Sequence, residues 1–395
     1  MCLGLCYCHG EPLHQSRMNA KSHEWRDSRL ALCRRMSCAV LLGSSKRRTS
    51  LSLRPARKTV SHFSRTCFRL AMGRWPTRTS DHCWQDLMKL IVVTPAGREK
   101  YLRLLSHHVL KSPEVHEWHL WDNCRNEADR AYLQRLAASD PRCKIKTVPS
   151  ADGSIDVIGR FFRFCDDADA LYLRLDDDVV FLEEGFLPRF KARALAEKGA
   201  ALWYAPLIIN NAVCNSLIKN LSRVLIEGPL TCQAMCPYSW AHASFPEALH
   251  PVFIEAVRTN RLGDFRVPDR EIRLGRFSIN AIGFFGSDIL ETGELFFPPG
   301  NDEEEWLSAT LPTKLDRPGK VFGDLVAAHF SFFTQEQRLL QTSILDDYYA
   351  LAGLPAPLYE KPVVQTRLKD RLRPWRKPRN RGPDYRISLP ASRDG

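Results

Sequence analysis

The chain has 395 residues, 44% of them apolar and 26% charged, enough to build a sizeable core and to exclude wholesale disorder. No apolar run approaches the ~20 residues that a membrane-spanning helix needs. The formal net charge of +12 first suggests a nucleic-acid binder, but it sits at the ends. Residues 1–87 carry 16 Lys/Arg against 5 Asp/Glu, 354–395 carry 11 against 4, and 88–353 carry 30 against 36. A non-enzymatic basic nucleic-acid-binding protein would explain the ends and leave the acidic middle without a role.

Residues 1–87 are rich in Arg, Ser and Cys and show neither helical nor strand periodicity. They read as a disordered basic tail that meets an acidic partner or membrane surface. They read better as an upstream stretch carried by a mistaken start, with Met88 or Met72 the true one; Arg-rich targeting is a third option. Of the 13 cysteines, 7 lie here, without a CxxC pair. The odd total and scattered spacing point to reduced thiols and a cytoplasmic setting.

At Met88 the texture changes. LIVVT (90–94), HEWHLW (116–121), CKIKTV (143–148) and ALYLRL (170–175) predict strands. Between them, 98–110, 125–138 and 155–165 have helical spacing. Such alternation implies right-handed βαβ units, hence an α/β fold with a mainly parallel sheet flanked by helices. Further on, 201–209 predicts a strand, 210–245 an irregular polar and aromatic insertion, and 245–260 a helix. An extended segment follows at 277–286, then an acidic cluster at 301–308, a strand at 321–333 and a closing helix at 334–352. From Pro355 the chain turns Pro- and Arg-rich, which predicts a disordered tail over 354–395.

The strand 170–175 runs into Asp176, Asp177 and Asp178. Ligands of open parallel sheets bind beyond the carboxyl ends of the strands. Two carboxylates ~4 Å apart repel by ~4 kcal/mol at an effective dielectric of 20, and a divalent cation removes that cost. The competing reading is an acidic first turn for a helix containing Glu183 and Glu184.

The stretch IGRFFRFCDDADALYLRLDDDVVFLEEGF resembles the central region of GT-A glycosyltransferases, especially family 2. That resemblance covers about 88–353 and rests on the order of its parts: nucleotide loop, basic helix, DXD-type triplet, acidic helix start. It implies a GT-A-like domain that transfers a sugar from a nucleotide-sugar donor to an acceptor hydroxyl, with inversion. Mn²⁺ or Mg²⁺ would be held by Asp178 and Asp176. Asp176 and Asp177 would also serve the nucleotide. In VVTPAGR, Thr94 and Pro95 would lie against the base or ribose. Arg160 would contact the nucleotide, and Asp122 would bind the base or cap the loop. In NDEEEWLS, Asp302, Glu303 and Glu304 compete for general base with Glu305, and Glu303 is favoured. His329 would be a third metal ligand or a hydrogen-bonded core residue. The implied acceptor is a glycan or its lipid-linked precursor, with peripheral membrane contact through the basic termini and no nucleic-acid partner. A QxxRW-type motif is absent, which argues against processive synthesis. A nucleotidyltransferase acting on a sugar phosphate is the alternative, although TPAGREK makes a poor phosphate loop.

Overall fold

A computed structural model describes residues 88–149, 151–273, 275–297, 302–359 and 385–390. The expected tail over 1–87 lies outside the described residues. Strand β1 (Lys89–Ala96) is followed by helix α1 (Glu99–Leu110), β2 (Val115–Asp122), α2 (Glu127–Ser139) and β3 (Cys143–Lys146). The segment expected as a helix over 155–165 is a 3₁₀ helix, Ile155–Phe164, which leads into β4 (Ala170–Leu175). Pairing is parallel from β3 to β2, β2 to β1 and β1 to β4. The chain therefore winds outward from β1 to β3 and then crosses back to lay β4 on the other side of β1. That reversal opens a crevice at the carboxyl ends of β1 and β4.

After β4 the sequence-based reading needs correction. Residues 179–182 form strand β5 (Val179–Leu182), buried throughout, and no helix begins at the triplet. Helix α3 (Phe186–Ala196) starts later, behind Gly185 at φ +67°. The acidic-cap reading of Asp176–Asp178 fails for that reason. Glu183 is buried and accepts from Arg189 (3.0 Å) and Arg266 (2.9 Å).

The rest completes a nine-stranded sheet of order β3-β2-β1-β4-β9-β6-β10-β5, with β8 beside β10. Its further strands are β6 (Trp203–Ile209), β8 (Arg270–Ile272), β9 (Ala281–Phe285) and β10 (Gly319–His329). Strand β9 runs antiparallel to β4 and β6, and β6 is parallel to β10. Six strands thus share one direction, as expected of a mainly parallel sheet. β4 and β6 are buried along their whole length, the mark of central strands covered on both faces.

The 210–245 insertion is less irregular than its composition suggests. Asn211 caps helix α4 (Ala212–Leu221) by accepting from the Cys214 amide at 3.2 Å, and β7 (Leu225–Glu227) follows. Buried Asn215 and Ser216 interrupt the apolar period and hide the helix in the sequence. Downstream come α5 (Ser244–Arg258), α6 (Gly286–Thr292) and α7 (Glu303–Glu305). A π turn over Trp306–Thr310 carries the last into α8 (Leu311–Leu315). The single closing helix expected over 334–352 is two, α9 (Glu336–Leu339) and α10 (Ile344–Leu351).

Of the tail expected over 354–395, residues 360–384 and 391–395 lie outside the described residues. Strand β11 (Arg386–Ser388) pairs antiparallel with β7, and the Tyr385 ring sits edge-on to Phe245 at 5.0 Å. Among the described residues no helix is long and apolar enough to cross a membrane.

Candidate active site

The β1–β4 crevice opens into a cleft of about 350 Å³. Its floor is the turn after β1. Gly97 is required there because a Cβ would lie 2.8 Å from the Asn123 carbonyl oxygen. The Gly97 amide donates to Asp177 Oδ2 at 3.1 Å, and Arg98 Nε donates to Asp177 Oδ1 at 3.0 Å. The same guanidinium reaches Asp178 Oδ2 (2.9 Å) and Glu336 (3.4 Å), and lies 4.8 Å over the Tyr101 ring.

This arrangement divides the three carboxylates. Asp177 is spent on the β1 turn, and burial pushes its carboxyl up to about 6 against the pull of Arg98. Asp176 pairs with Arg174 Nη1 (2.9 Å) and accepts from Asn280 Nδ2 (3.1 Å), yet burial still raises its pKa. Asp178 is the acid held ionised. Burial opposes its charge, but Arg98 and His329 keep its pKa well below the usual carboxylate range.

His329, at the end of β10, meets Asp178 Oδ1 through Nε2 at 3.4 Å. Its Nδ1 faces the Asn210 carbonyl at 3.3 Å. A carbonyl only accepts, so Nδ1 carries a proton; burial disfavours the ring's charge, but Asp178 and Asp176 raise its pKa overall, and a cation held here would take the place of the Nε2 proton. One donor atom each from Asp176, Asp178 and His329 lies within 4.8 Å of the others. Two carboxylates and an imidazole oriented by a backbone carbonyl fit a divalent cation of the Mn²⁺ type. His329→Ala is expected to weaken Mn²⁺ affinity roughly 10–100-fold, measured by titration of the cation. Unchanged affinity with a lowered melting point would return His329 to a packing role against Phe332, whose ring lies 4.9 Å away.

The acidic helix start reaches the same cleft through β4. Arg174 is 3% exposed and bridges Asp176 to Glu303, which it meets through Nη2 at 2.9 Å. Glu303 is buried, and its Oε2 has no hydrogen-bond partner among the described residues. Burial pushes its carboxyl up to about 7; Arg174 opposes this, and Asp176 and Glu304 add to it. Asp302 caps α7 by accepting from the Glu305 amide (3.0 Å) and also pairs with Arg276 (2.7 Å). Glu304 accepts from Arg276 Nε at 2.6 Å, and burial raises its pKa.

The residues expected at the nucleoside are partly displaced. Pro95 lines the cleft. Thr94 does not: it is fully buried, and its hydroxyl accepts from the Trp118 indole at 3.0 Å. Alternation along β1 turns it into the core when its neighbour Pro95 meets the cleft. Asp122 accepts from the Cys124 amide (3.2 Å) and Arg130 (3.2 Å) and acts as a loop cap. Asn123, next in sequence, lines the cleft and ties down the Gly153 amide at 3.1 Å. Arg160 is exposed, and among the described residues its guanidinium reaches the Pro149 carbonyl, at 3.4 Å. Arg125 does line the cleft, and its Nε donates to the Gly153 carbonyl at 2.8 Å. Asp177, expected at the nucleotide, holds the loop instead.

Arg98, Arg174, Arg276 and Asn280 were not anticipated as site residues. Arg174 leaves one signal, a lone cation inside the apolar strand ALYLRL two residues before the triplet. The others depend on contacts between distant segments.

No family model matches the chain, and no curated protein sequence matches it. Solved structures do. A mannosyltransferase from Pyrobaculum calidifontis, in complex with GDP-Man and Mn²⁺, is similar at 10% identity and a TM-score of 0.40, covering 73% of this chain and 71% of that one. Glucosyl-3-phosphoglycerate synthase from Mycobacterium tuberculosis, in complex with Mn²⁺ and UDP, is similar at 14% identity and 0.36, covering 72% and 87%. The 4-diphosphocytidyl-2C-methyl-D-erythritol synthase from Anaerococcus prevotii is similar at 13% and 0.33, covering 68% and 98%. With TM-scores below 0.5, functional weight falls on the cleft's own residues; what these likenesses supply is a set of α/β neighbours that are glycosyltransferases and one nucleotidyltransferase.

Proposed function

We propose that residues 88–353 form a metal-dependent glycosyltransferase domain of the GT-A kind, moving a sugar from a nucleotide-sugar donor to an acceptor hydroxyl. One observation carries this reading. A cation-ligating trio and a buried carboxyl with an unpartnered oxygen share one cleft at the sheet's switch point, joined through Arg174.

Asp176, Asp178 and His329 would hold the cation. When bound, it neutralises the departing diphosphate as a Lewis acid and orients it. The imidazole donor favours Mn²⁺ over Mg²⁺, which prefers oxygen ligands and retained water. Asn123 and Pro95 would border the nucleoside, with Arg125 available to its phosphates or ribose. Glu303 Oε2 would take the proton from the acceptor hydroxyl. The acceptor oxygen then bonds to the anomeric carbon as the carbon–phosphate-oxygen bond breaks, and that electron pair leaves with the nucleoside diphosphate. Attack opposite the leaving group inverts the anomeric centre. The buried Glu303 site keeps the base near the pH at which it must work. A glycan or lipid-linked acceptor, and membrane contact through the basic termini, belong to the same proposal.

The test is a thermal-shift panel of UDP, GDP, CMP and dTDP compounds with and without Mn²⁺. A ligand at 100 times its dissociation constant adds ~2.7 kcal/mol to the folded state. A shift that needs both nucleotide and Mn²⁺ is expected. The absence of any metal-dependent shift overturns the reading, and pyrophosphate release from a nucleoside triphosphate and a sugar phosphate would replace it with nucleotidyl transfer.

A further inference from the structure

The far wall of the cleft, at the end of β10, carries side chains that neither cation nor proton transfer uses. Phe333 lines the cleft and is 80% exposed. An aromatic ring inside a polar cleft offers an apolar face that a ligand can cover. Trp240 stands edge-on to the Phe333 ring at 5.4 Å.

Both flanks of that pair are pinned. Thr334 Oγ1 donates to the Trp240 carbonyl at 2.7 Å. Fully buried Gln335 donates to the Ser239 carbonyl (2.7 Å) and accepts from Asn210 Nδ2 (3.0 Å). Beside the pair, Ser331 is 3% exposed, lines the cleft, and its hydroxyl has no partner among the described residues.

Position across the sheet separates this wall from the nucleoside. Asn123 and Pro95 lie at the ends of β2 and β1, on one side of the triplet after β4. Ser331 and Phe333 follow β10, three places along the sheet on the other side. The acids around it (Asp302, Glu303, Glu304 and Glu336, all lining the cleft) outnumber the arginines they pair with (Arg276, Arg174 and Arg98). They accept hydrogen bonds from hydroxyls and repel an anionic acceptor.

We propose that Phe333, backed by Trp240, is the platform of an acceptor subsite for a neutral pyranose ring. The ring's apolar C–H face covers the aromatic, and Ser331 and the acidic rim take its hydroxyls. The proposal rests on the cleft being a sugar-transfer site, and it narrows the acceptor to a carbohydrate whose receiving unit is an uncharged six-membered ring.

The experiment uses the full chain, Mn²⁺ and the nucleotide-sugar donor that matches the nucleotide giving the largest shift. Acceptor probes are methyl glucoside, galactoside and mannoside, against glycerol, sorbitol and glycerol 3-phosphate. Saturable transfer to at least one pyranoside is expected, with the acyclic and phosphorylated probes inert. Phe333→Ala should raise the pyranoside KM roughly 3–10-fold, the range of an aromatic contact, with a smaller change in kcat. Phe333→Tyr should restore it. The variant's nucleotide–Mn²⁺ shift is measured first, as the sign of a folded cleft. Failure of every pyranoside, preference for glycerol 3-phosphate, or an unchanged KM in Phe333→Ala overturns the platform. Loss of the metal-dependent shift in the wild type is a separate result, and it removes the underlying reading instead.

Discussion

Glu303→Gln is expected to cut turnover by ~10²–10⁴, the usual contribution of a general base, while nucleotide and Mn²⁺ still stabilise the protein. Gln keeps an oxygen for Arg174 Nη2, which Glu303 Oε1 meets at 2.9 Å. It replaces the oxygen that has no partner, Oε2, with a group that accepts no proton. Asp302→Gln and Glu304→Gln serve as comparisons. Both acids pair with Arg276 at the cleft margin, so their loss should disturb turnover less. Equal activity in all three variants would reduce the cluster to a helix start.

The same carboxyl sets the expected pH response. Glu303 titrates near 7 in the folded protein because burial disfavours its charge. Turnover should rise with pH through about 7, as the base loses its proton. Stability should move the other way. The folded pKa is raised above the ordinary glutamate value of 4.5, so the native state binds the proton more tightly than the unfolded chain. The stabilisation is complete below about 4.5 and is lost as pH rises through about 7. Glu303→Gln should therefore flatten this part of the stability profile, measured by melts from pH 5 to 8.

Asp178→Asn is expected to abolish the Mn²⁺-dependent part of the nucleotide shift, a loss of up to ~2.7 kcal/mol at 100 times the dissociation constant. Asp178 is the carboxylate of the triplet kept ionised by its surroundings, facing His329 Nε2 with one oxygen and Arg98 with the other. Asn retains the size and offers no charge to a cation. The fold should survive, since Arg98 keeps Asp177 and Glu336. Asp177→Asn makes the contrast. It loosens the turn that holds Gly97 and Arg98, so it should lower the melting point more than it lowers cation affinity. Unfolding of Asp178→Asn, with no response of the wild type to Mn²⁺, would leave the triplet as a structural turn.

Much of this protein is legible in its sequence because the relevant information is local. Strand–helix alternation from Met88 to Leu175 follows from periodicity, and it already implies the parallel sheet. The triplet's place at a strand end follows from adjacency, since ALYLRL runs straight into Asp176. The Asp302 cap and the acidic first turn after it follow from helix-end chemistry.

The tertiary structure decided the rest. Side-chain direction at the end of β1 turned Thr94 into the core and left Pro95 in the cleft. Arg98, 79 residues before Asp177, chose which acid of the triplet serves the loop. Arg174 and Glu303, 129 residues apart, met below the cleft and made one acid of NDEEEW a buried, half-partnered carboxyl. Sequence places a carboxylate on an element, but its pKa and its role come from burial and from charges delivered by other elements. Those depend on how β4, β10 and α7 converge, which no local pattern encodes.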